Sequence, residues 1–286
     1  MKKYHSSLKS IFIGLACIVF FLNCNTAKPF TSPAGYDFSK PEKLIMENTL
    51  KEISGICFLK GNDEILFAVE DETGKLYQYQ LADGKLIKSK FGTKSDYEDL
   101  TILNNQTASV LGSDGSIFMF AISKAGKEKI DSVQEYKNIL PAGEYEGLFA
   151  ADSTLYALCK DCPQDKPSKE VSVFALQQSA GSGLSVLNSF KVVVSGIQSG
   201  NGAKTKFHPS AIAKSPVTND WFIVSSTNKM LLQFDEQWKL IAHFKLDPIL
   251  FNQPEGMAFN SKGDLYISNE GGTGVANILI FRYLAK

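Results

Sequence analysis

Gln253-Pro254-Glu255-Gly256-Met257 decides the fold, because four other segments of the chain repeat its pattern. In each segment a polar residue, a bulky residue and Ser or Glu precede a position that is usually small, and an aliphatic residue follows. The four other segments are Glu52-Ile53-Ser54-Gly55-Ile56, Asp96-Tyr97-Glu98-Asp99-Leu100, Glu144-Tyr145-Glu146-Gly147-Leu148 and His208-Pro209-Ser210-Ala211-Ile212. The fourth positions of the five segments are 44, 48, 64 and 45 residues apart. Self-similarity at such a period indicates a repeat architecture.

Each of the five segments is followed by short alternating strands separated by Gly, Asn and Asp turns. In the first unit the predicted strands cover 55–59, 64–70, 75–81 and 85–91. Four strands in a unit of about 40–50 residues are typical of a β-propeller blade. The sequence therefore predicts an all-β protein with five four-stranded blades. Six blades are the alternative, because the 64-residue interval is long; two long loops, at 179–183 and 195–202, explain it better.

The last unit supplies only three strands, so its fourth strand has to come from elsewhere in the chain. Residues 42–50 precede the first unit and can fill this place. Such closure leaves no free edge at the end of the ring. The propeller domain is therefore predicted to cover 42–286.

The N-terminus has the pattern of an export signal. A basic start is followed by the apolar run 11–22, whereas a spanning helix needs about 20 apolar residues. The segment that ends in Cys24 resembles a bacterial lipobox, which predicts a signal peptide over 1–23 and a lipid-modified (palmitate-bearing) cysteine. Cleavage near 25–27, with Cys24 discarded, is the alternative. Residues 24–41 are interpreted as a flexible tether, and the propeller is expected in the bacterial cell envelope, outside the cytoplasm and anchored to a membrane.

As a set, the five repeated segments resemble those of the SdiA-regulated family of exported bacterial propeller proteins. The resemblance covers the chain from about residue 45 to its end. Pro254-Glu255-Gly256-Met257-Ala258 is also similar to NHL-type and gluconolactonase-like propellers. The SdiA-regulated resemblance implies a fold and a location without an assigned reaction.

The charged residues argue against one class of binding partner. Lys+Arg and Asp+Glu both total 30, and Arg282 is the only arginine, which argues against nucleic-acid binding.

Cys159 and Cys162 have the spacing of a local disulfide, and two free thiols are equally compatible with the sequence.

The repeat places polar residues together at one mouth of the central channel, because first and third positions of a strand face the same way. The first-position residues are Glu52, Asp96, Glu144, His208 and Gln253. The third-position residues are Ser54, Glu98, Glu146, Ser210 and Glu255, with Asp99 expected close by. A water-filled acidic funnel is one interpretation. The other is a Ca²⁺ site held by Glu98, Glu146 and Glu255, because Ca²⁺ takes oxygen ligands; gluconolactonase-like propellers imply the same role for Glu255.

No catalytic residue is assigned from the sequence, which lacks a Gly-x-Ser-x-Gly elbow. The function expected is binding of a small molecule or protein partner through one face of an anchored propeller. The alternative is a metal-dependent hydrolase of the lactonase or phosphoesterase type that uses the acidic mouth.

Overall fold

The computed structural model describes Met1 and residues 30–166, 168–179, 183–195 and 206–284. Within these residues it contains five four-stranded antiparallel sheets, which confirms the five-bladed propeller. The strands are numbered from the N-terminus of the chain. The strands are β1 (Glu42–Ile45), β2 (Ile53–Leu59), β3 (Asn62–Glu70), β4 (Lys75–Gln80), β5 (Leu86–Lys90), β6 (Tyr97–Leu103), β7 (Thr107–Gly112), β8 (Ile117–Ala121), β9 (Gln134–Tyr136), β10 (Glu144–Ala151), β11 (Thr154–Asp161), β12 (Glu170–Gln178), β13 (Leu184–Val193), β14 (Ala211–Lys214), β15 (Trp221–Ser225), β16 (Met230–Phe234), β17 (Leu240–Lys245), β18 (Pro254–Phe259), β19 (Leu265–Asn269) and β20 (Asn277–Phe281).

 Blade 1 consists of β2–β5, and β1 belongs to the last blade. Blade 2 consists of β6–β9, blade 3 of β10–β13 and blade 4 of β14–β17. Blade 5 combines β18–β20 with β1. Two short 3₁₀ helices, Asn48–Leu50 and Ile122–Lys124, lie outside the sheets.

The core lies between neighbouring blades, since each sheet buries both of its faces near the channel. The inner strands of a blade are mostly apolar and buried, as in β15 and β16. The outermost strand is mostly exposed or half-buried, as in β13 and β17. Aromatic rings fill part of the contact between blades 3 and 4. Trp221 and Trp238 stack there with their ring centroids 4.2 Å apart, and Tyr156 packs edge-on against Trp221. Burial of such large rings contributes strongly to the stability of the blade contact.

The ring is closed by the N-terminal strand, as the sequence predicts. Antiparallel pairing of β1 with β20 places Glu42 opposite Ile280 and Ile45 opposite Asn277. Arg282 supports this closure, because its guanidinium donates to Glu42 at 2.6 Å and to Asp264 at 2.8 Å. The last sheet therefore has its full four strands, of which three come from the C-terminal part of the chain and one from the N-terminal part.

Part of the segment interpreted as a tether is packed against blade 5. The Phe38 ring is buried, with its centroid 4.5 Å from that of Phe281 and 5.5 Å from that of Phe251. The Tyr36 hydroxyl donates to the carbonyl oxygen of Gly263 at 2.6 Å. The packed region therefore begins before β1.

The direction of the strands defines two ends of the propeller. The innermost strand of each blade starts at the repeated segment, and we call this end the motif end. Strand β18 runs from the motif end, so the turn that contains Gly263 lies at the opposite end. Because Tyr36 contacts Gly263 and β1 runs antiparallel to β20, the chain enters the propeller at the end opposite the motif end.

Three sequence predictions fall on residues that the structure does not describe or describes only in part. Residues 2–23 of the predicted signal peptide and Cys24 lie outside the described residues, as does most of the two loops predicted at 179–183 and 195–202. Within the described part of the chain, no helix has the length and apolar character needed to cross a membrane.

Candidate functional site

An open cavity of about 440 Å³ lies at the motif end of the channel. Its wall is polar and carries six carboxylic acids and two lysines among the described residues. The lining residues are Asp71, Asp96, Glu98, Glu146, Lys160, Ser210, Ser226, Thr227, Lys229, Asn252, Gln253, Glu255 and Glu270. We call this the acidic cavity.

β-Bulges present the three third-position glutamates to the acidic cavity. The pairing of β6 with β7 shifts between Tyr97 and Asp99, which leaves Glu98 as the extra residue. The same shift occurs around Glu146 in β10 and around Glu255 in β18. A bulge turns the side chain of its extra residue away from the regular alternation of the strand. The repeated sequence therefore produces the same local distortion in three blades.

Six of the predicted channel-mouth residues line the acidic cavity. They are Asp96, Glu98, Glu146, Ser210, Gln253 and Glu255. Glu52, Ser54, Glu144 and His208 are not part of its wall. The main chain of two of them has a structural role instead, since the Ser54 carbonyl accepts from Ser268 at 2.9 Å and the His208 carbonyl accepts from the Ser225 hydroxyl.

The expectation for Asp99 needs a correction, because this residue is buried between blades 2 and 3. Its carboxylate accepts from the backbone N–H of Leu100 at 2.8 Å and from that of Leu148 at 2.7 Å. Burial raises the pKa of Asp99 well above its usual range, although both hydrogen bonds act in the opposite direction. Asp99 occupies the fourth motif position, where three other blades have glycine, and a side chain on Gly55 would overlap the Asp99 carboxylate. Its role is therefore to join two blades.

Seven further lining residues were not identified from the sequence. They include Asp71, Lys160 and Glu270, which lie at or just after the end of the second strand of a blade. In an antiparallel pair the end of the second strand lies beside the start of the first, as the hydrogen bond from Glu270 N–H to the Gln253 carbonyl at 2.9 Å shows. A search of the second-strand ends would have found these residues.

Burial and mutual repulsion raise the pKa of the carboxylic acids in the acidic cavity. Burial, followed by the charge of Glu146, raises the pKa of Glu98 to about 9. Burial raises the pKa of Glu146 to about 7 despite the neighbouring Lys160, and it raises the pKa of Glu255. Burial also raises the pKa of Glu270 to about 8 and that of Asp71 to about 6, with nearby carboxylates adding to both shifts. Near neutral pH the cavity therefore holds protons that a cation could displace.

Lys160 supplies a positive charge inside the acidic cavity. Its ammonium group lies 2.6 Å from Glu146 Oε1 and 3.1 Å from Glu144 Oε1. Burial alone would lower the pKa of Lys160, but the hydrogen bond and charge of Glu146 outweigh burial and raise it above its usual range. The other lysine, Lys229, donates to the carbonyl oxygen of Asn252 at 2.5 Å, and burial lowers its pKa.

The geometry does not bring Glu98, Glu146 and Glu255 into a ready-made metal site. Among the described residues, the one group of three or more His, Cys, Asp or Glu side chains with ligand atoms within 4.8 Å of one another is Cys159, Cys162 and Asp165. Cys159 and Cys162 form a disulfide, which decides between the two alternatives left open by the sequence. The Ca²⁺ site of the three glutamates stays a prediction.

A second cavity, of about 960 Å³, lies at the opposite end of the channel. It is lined by the far ends of the innermost strands of all five blades, including Phe58, Ile102, Ala150, Lys214 and Phe259. Its wall carries two carboxylic acids, Asp63 and Asp152, whereas the wall of the acidic cavity carries six. The carboxylic acids are thus concentrated at the motif end.

Comparison with known proteins supports the fold. No protein-family model and no curated protein sequence matches the chain. Among solved structures it is similar to the glutaminyl cyclase of Myxococcus xanthus, with 12% identity and a TM-score of 0.53 over 86% of this chain and 98% of that chain. A PQQ-bound aldose sugar dehydrogenase from Streptomyces coelicolor gives 12% identity and a TM-score of 0.52 over 85% and 98%. A luciferin-regenerating enzyme gives 10% identity and a TM-score of 0.52 over 86% and 96%. At these identities the likeness shows the β-propeller fold alone.

Proposed function

We propose that this protein is an exported, membrane-anchored β-propeller that binds a positively charged ligand in the acidic cavity. The observation that carries the proposal is the set of six carboxylic acids that share one open cavity at the channel mouth. Carboxylates held close together repel each other, and a bound cation turns this repulsion into attraction. The ligand is a small molecule that carries an ammonium group, or a basic side chain of a protein partner.

The charge of the ligand is best placed beside Asp71 and Glu270. The Oδ1 atom of Asp71 is buried and has no hydrogen-bond partner among the described residues. Glu270 is bound by the neutral amide of Gln253, and its pKa is raised by burial and by other carboxylates. Glu146, in contrast, already has the ammonium group of Lys160 as its partner. Ca²⁺ at Glu98, Glu146 and Glu255 remains the second candidate ligand.

The proposed anchor at the cell envelope precedes the propeller in the chain. Resemblance to the SdiA-regulated family and the lipobox-like segment before Cys24 are the grounds for export and lipidation. The chain reaches the propeller at the end opposite the acidic cavity, where Tyr36 contacts Gly263. An anchor at Cys24 would therefore leave the acidic cavity directed away from the membrane and open to ligands.

A metal-dependent hydrolase is the alternative, and the pKa of Glu146 favours it. A group with a pKa of about 7 is well suited to transfer protons near neutral pH. The resemblance of Glu255-Gly256 to gluconolactonase-like propellers points in the same direction. Screening lactone and phosphoester substrates with and without divalent metal ions tests this alternative.

Isothermal titration calorimetry of the mature protein tests the binding proposal. Spermidine and CaCl₂ are titrated separately at pH 7, each in two buffers that differ in ionisation enthalpy. Binding should release protons, because Glu98 and Glu270 are protonated in the free cavity, and the measured heat should therefore depend on the buffer. Glu270→Gln should weaken spermidine binding, while Glu135→Gln, which removes an exposed carboxylate from β9, should not. Absence of binding by both probes, with no metal in the purified protein, would refute the proposal.

A further inference from the structure

Lys160 lies in a second bulge, on the strand opposite Glu146. Glu144 pairs with Asp161 and Tyr145 pairs with Cys159, so Lys160 is left without a partner in the ladder between β10 and β11. Such a bulge redirects the side chain of its extra residue. The side chain of Lys160 is directed into the acidic cavity, where 29% of it is exposed.

The disulfide holds this bulge in place. Cys159 and Cys162 enclose Lys160 and Asp161 in a four-residue loop, and both sulfur-bearing side chains are buried in the core between blades 2 and 3. The backbone on both sides of Lys160 is therefore covalently restrained. A restrained backbone lowers the entropy cost of keeping a long side chain in one place.

The ammonium group of Lys160 competes with a metal ion for Glu146. A divalent ion held by the third-position glutamates has to bind the Glu146 carboxylate, whose Oε1 atom already accepts from Lys160 at 2.6 Å. Lys160 lines the same cavity as Glu98 and Glu255, and its charge opposes the effect of burial on the pKa of both. Asp71 and Glu270, on blades 1 and 5, have no such cation, since neither forms an ion pair within the described part of the chain.

We propose that Lys160, held by the Cys159–Cys162 disulfide, is a specificity-determining residue that excludes divalent metal ions from Glu98, Glu146 and Glu255. The cavity then accepts an ammonium group beside Asp71 and Glu270 in preference to a metal ion. This inference rests on the proposed function, and it limits the ligand to compounds that carry an ammonium group rather than metal ions. A tethered group competes with a free ion at a high effective concentration, so its removal should have a large effect on metal affinity.

Calorimetric titration of four variants with CaCl₂ alone and with spermidine alone tests the inference. Lys160→Met should raise the affinity for Ca²⁺ by about tenfold or more while changing spermidine affinity less, since tenfold requires only about 1.4 kcal/mol. Lys160→Arg keeps the charge and should leave Ca²⁺ affinity low. Lys94→Met is the matched control, because it removes a lysine charge whose side chain is 82% exposed and outside the cavity wall. The double variant Cys159→Ser/Cys162→Ser should raise Ca²⁺ affinity less than Lys160→Met, and it provides a second test if Lys160→Met does not fold.

The outcomes separate this inference from the proposed function. If Lys160→Met binds Ca²⁺ no more tightly than the wild type, or if both probes gain affinity equally, the role of Lys160 in specificity is wrong. If the wild type binds neither probe and Lys160→Met binds Ca²⁺, the proposed function fails together with the preference for an ammonium group, and only the exclusion of metal ions by Lys160 is supported. If no variant binds either probe, both are refuted.

Discussion

Glu98→Gln should make the stability of the propeller less dependent on pH. The pKa of Glu98 is 4.5 in an unperturbed side chain and is raised to about 9 in the folded protein. Between these two values the folded state binds more protons than the unfolded state. The contribution of Glu98 to stability is therefore fully present below pH 4.5 and is lost as the pH rises toward 9. Glutamine cannot ionise, so the variant lacks this contribution.

The size of the effect follows from the proton difference. One such group changes the free energy of unfolding by about 1.4 kcal/mol per pH unit, or about 2.7 kcal/mol between pH 6 and pH 8. Glu98 is only half-buried, so solvent screening reduces this value, and we expect about 1–2 kcal/mol. The wild type should lose at least this much stability from pH 6 to pH 8, because Glu146 and Glu270 act in the same direction.

Urea unfolding at pH 6 and pH 8 measures this difference. Trp221 is buried and stacks on the half-buried Trp238, so this pair provides a fluorescence signal for loss of tertiary structure. Glu135→Gln is the matched control, because Glu135 is an exposed carboxylate on the same blade as Glu98. An equal loss of stability in the wild type and in Glu98→Gln would show that Glu98 ionises normally in the folded protein, and the reasoning about the acidic cavity would be wrong.

Two further predictions concern the N-terminal segment. Phe38→Ala should lower the free energy of unfolding by about 3 kcal/mol, because the ring is buried against Phe251 and Phe281, whereas Phe30→Ala should have little effect because Phe30 is 51% exposed; equal unfolding curves for the two variants would contradict the packing of this segment. Mass spectrometry of the mature protein should show an acylated Cys24 at its N-terminus, and an unmodified chain that begins after Ala27 would refute the lipid anchor.

The repeated segments determine the number of blades and three of the cavity glutamates. Their spacing defines the units, and the short apolar or alternating runs between turns define the strands. The missing fourth strand of the last unit likewise determined the closure by β1. These features depend on local pattern, which is why they were accessible without a structure.

Pairing between strands decided which other side chains share the acidic cavity. Asp71, Lys160 and Glu270 line it because the end of each second strand lies beside the start of the first strand. In the sequence these three residues are outside the repeated segments. Bulges decided the direction of individual side chains, since a shift of one residue moves a side chain to the other face of a strand. Asp99 and Glu98 are neighbours in sequence, yet one joins two blades and the other lines the cavity. The spacing of Cys159 and Cys162 also left open whether they form a disulfide. A disulfide depends on the distance between the two side chains, and this distance is set by the fold of β11 and of the residues that follow it.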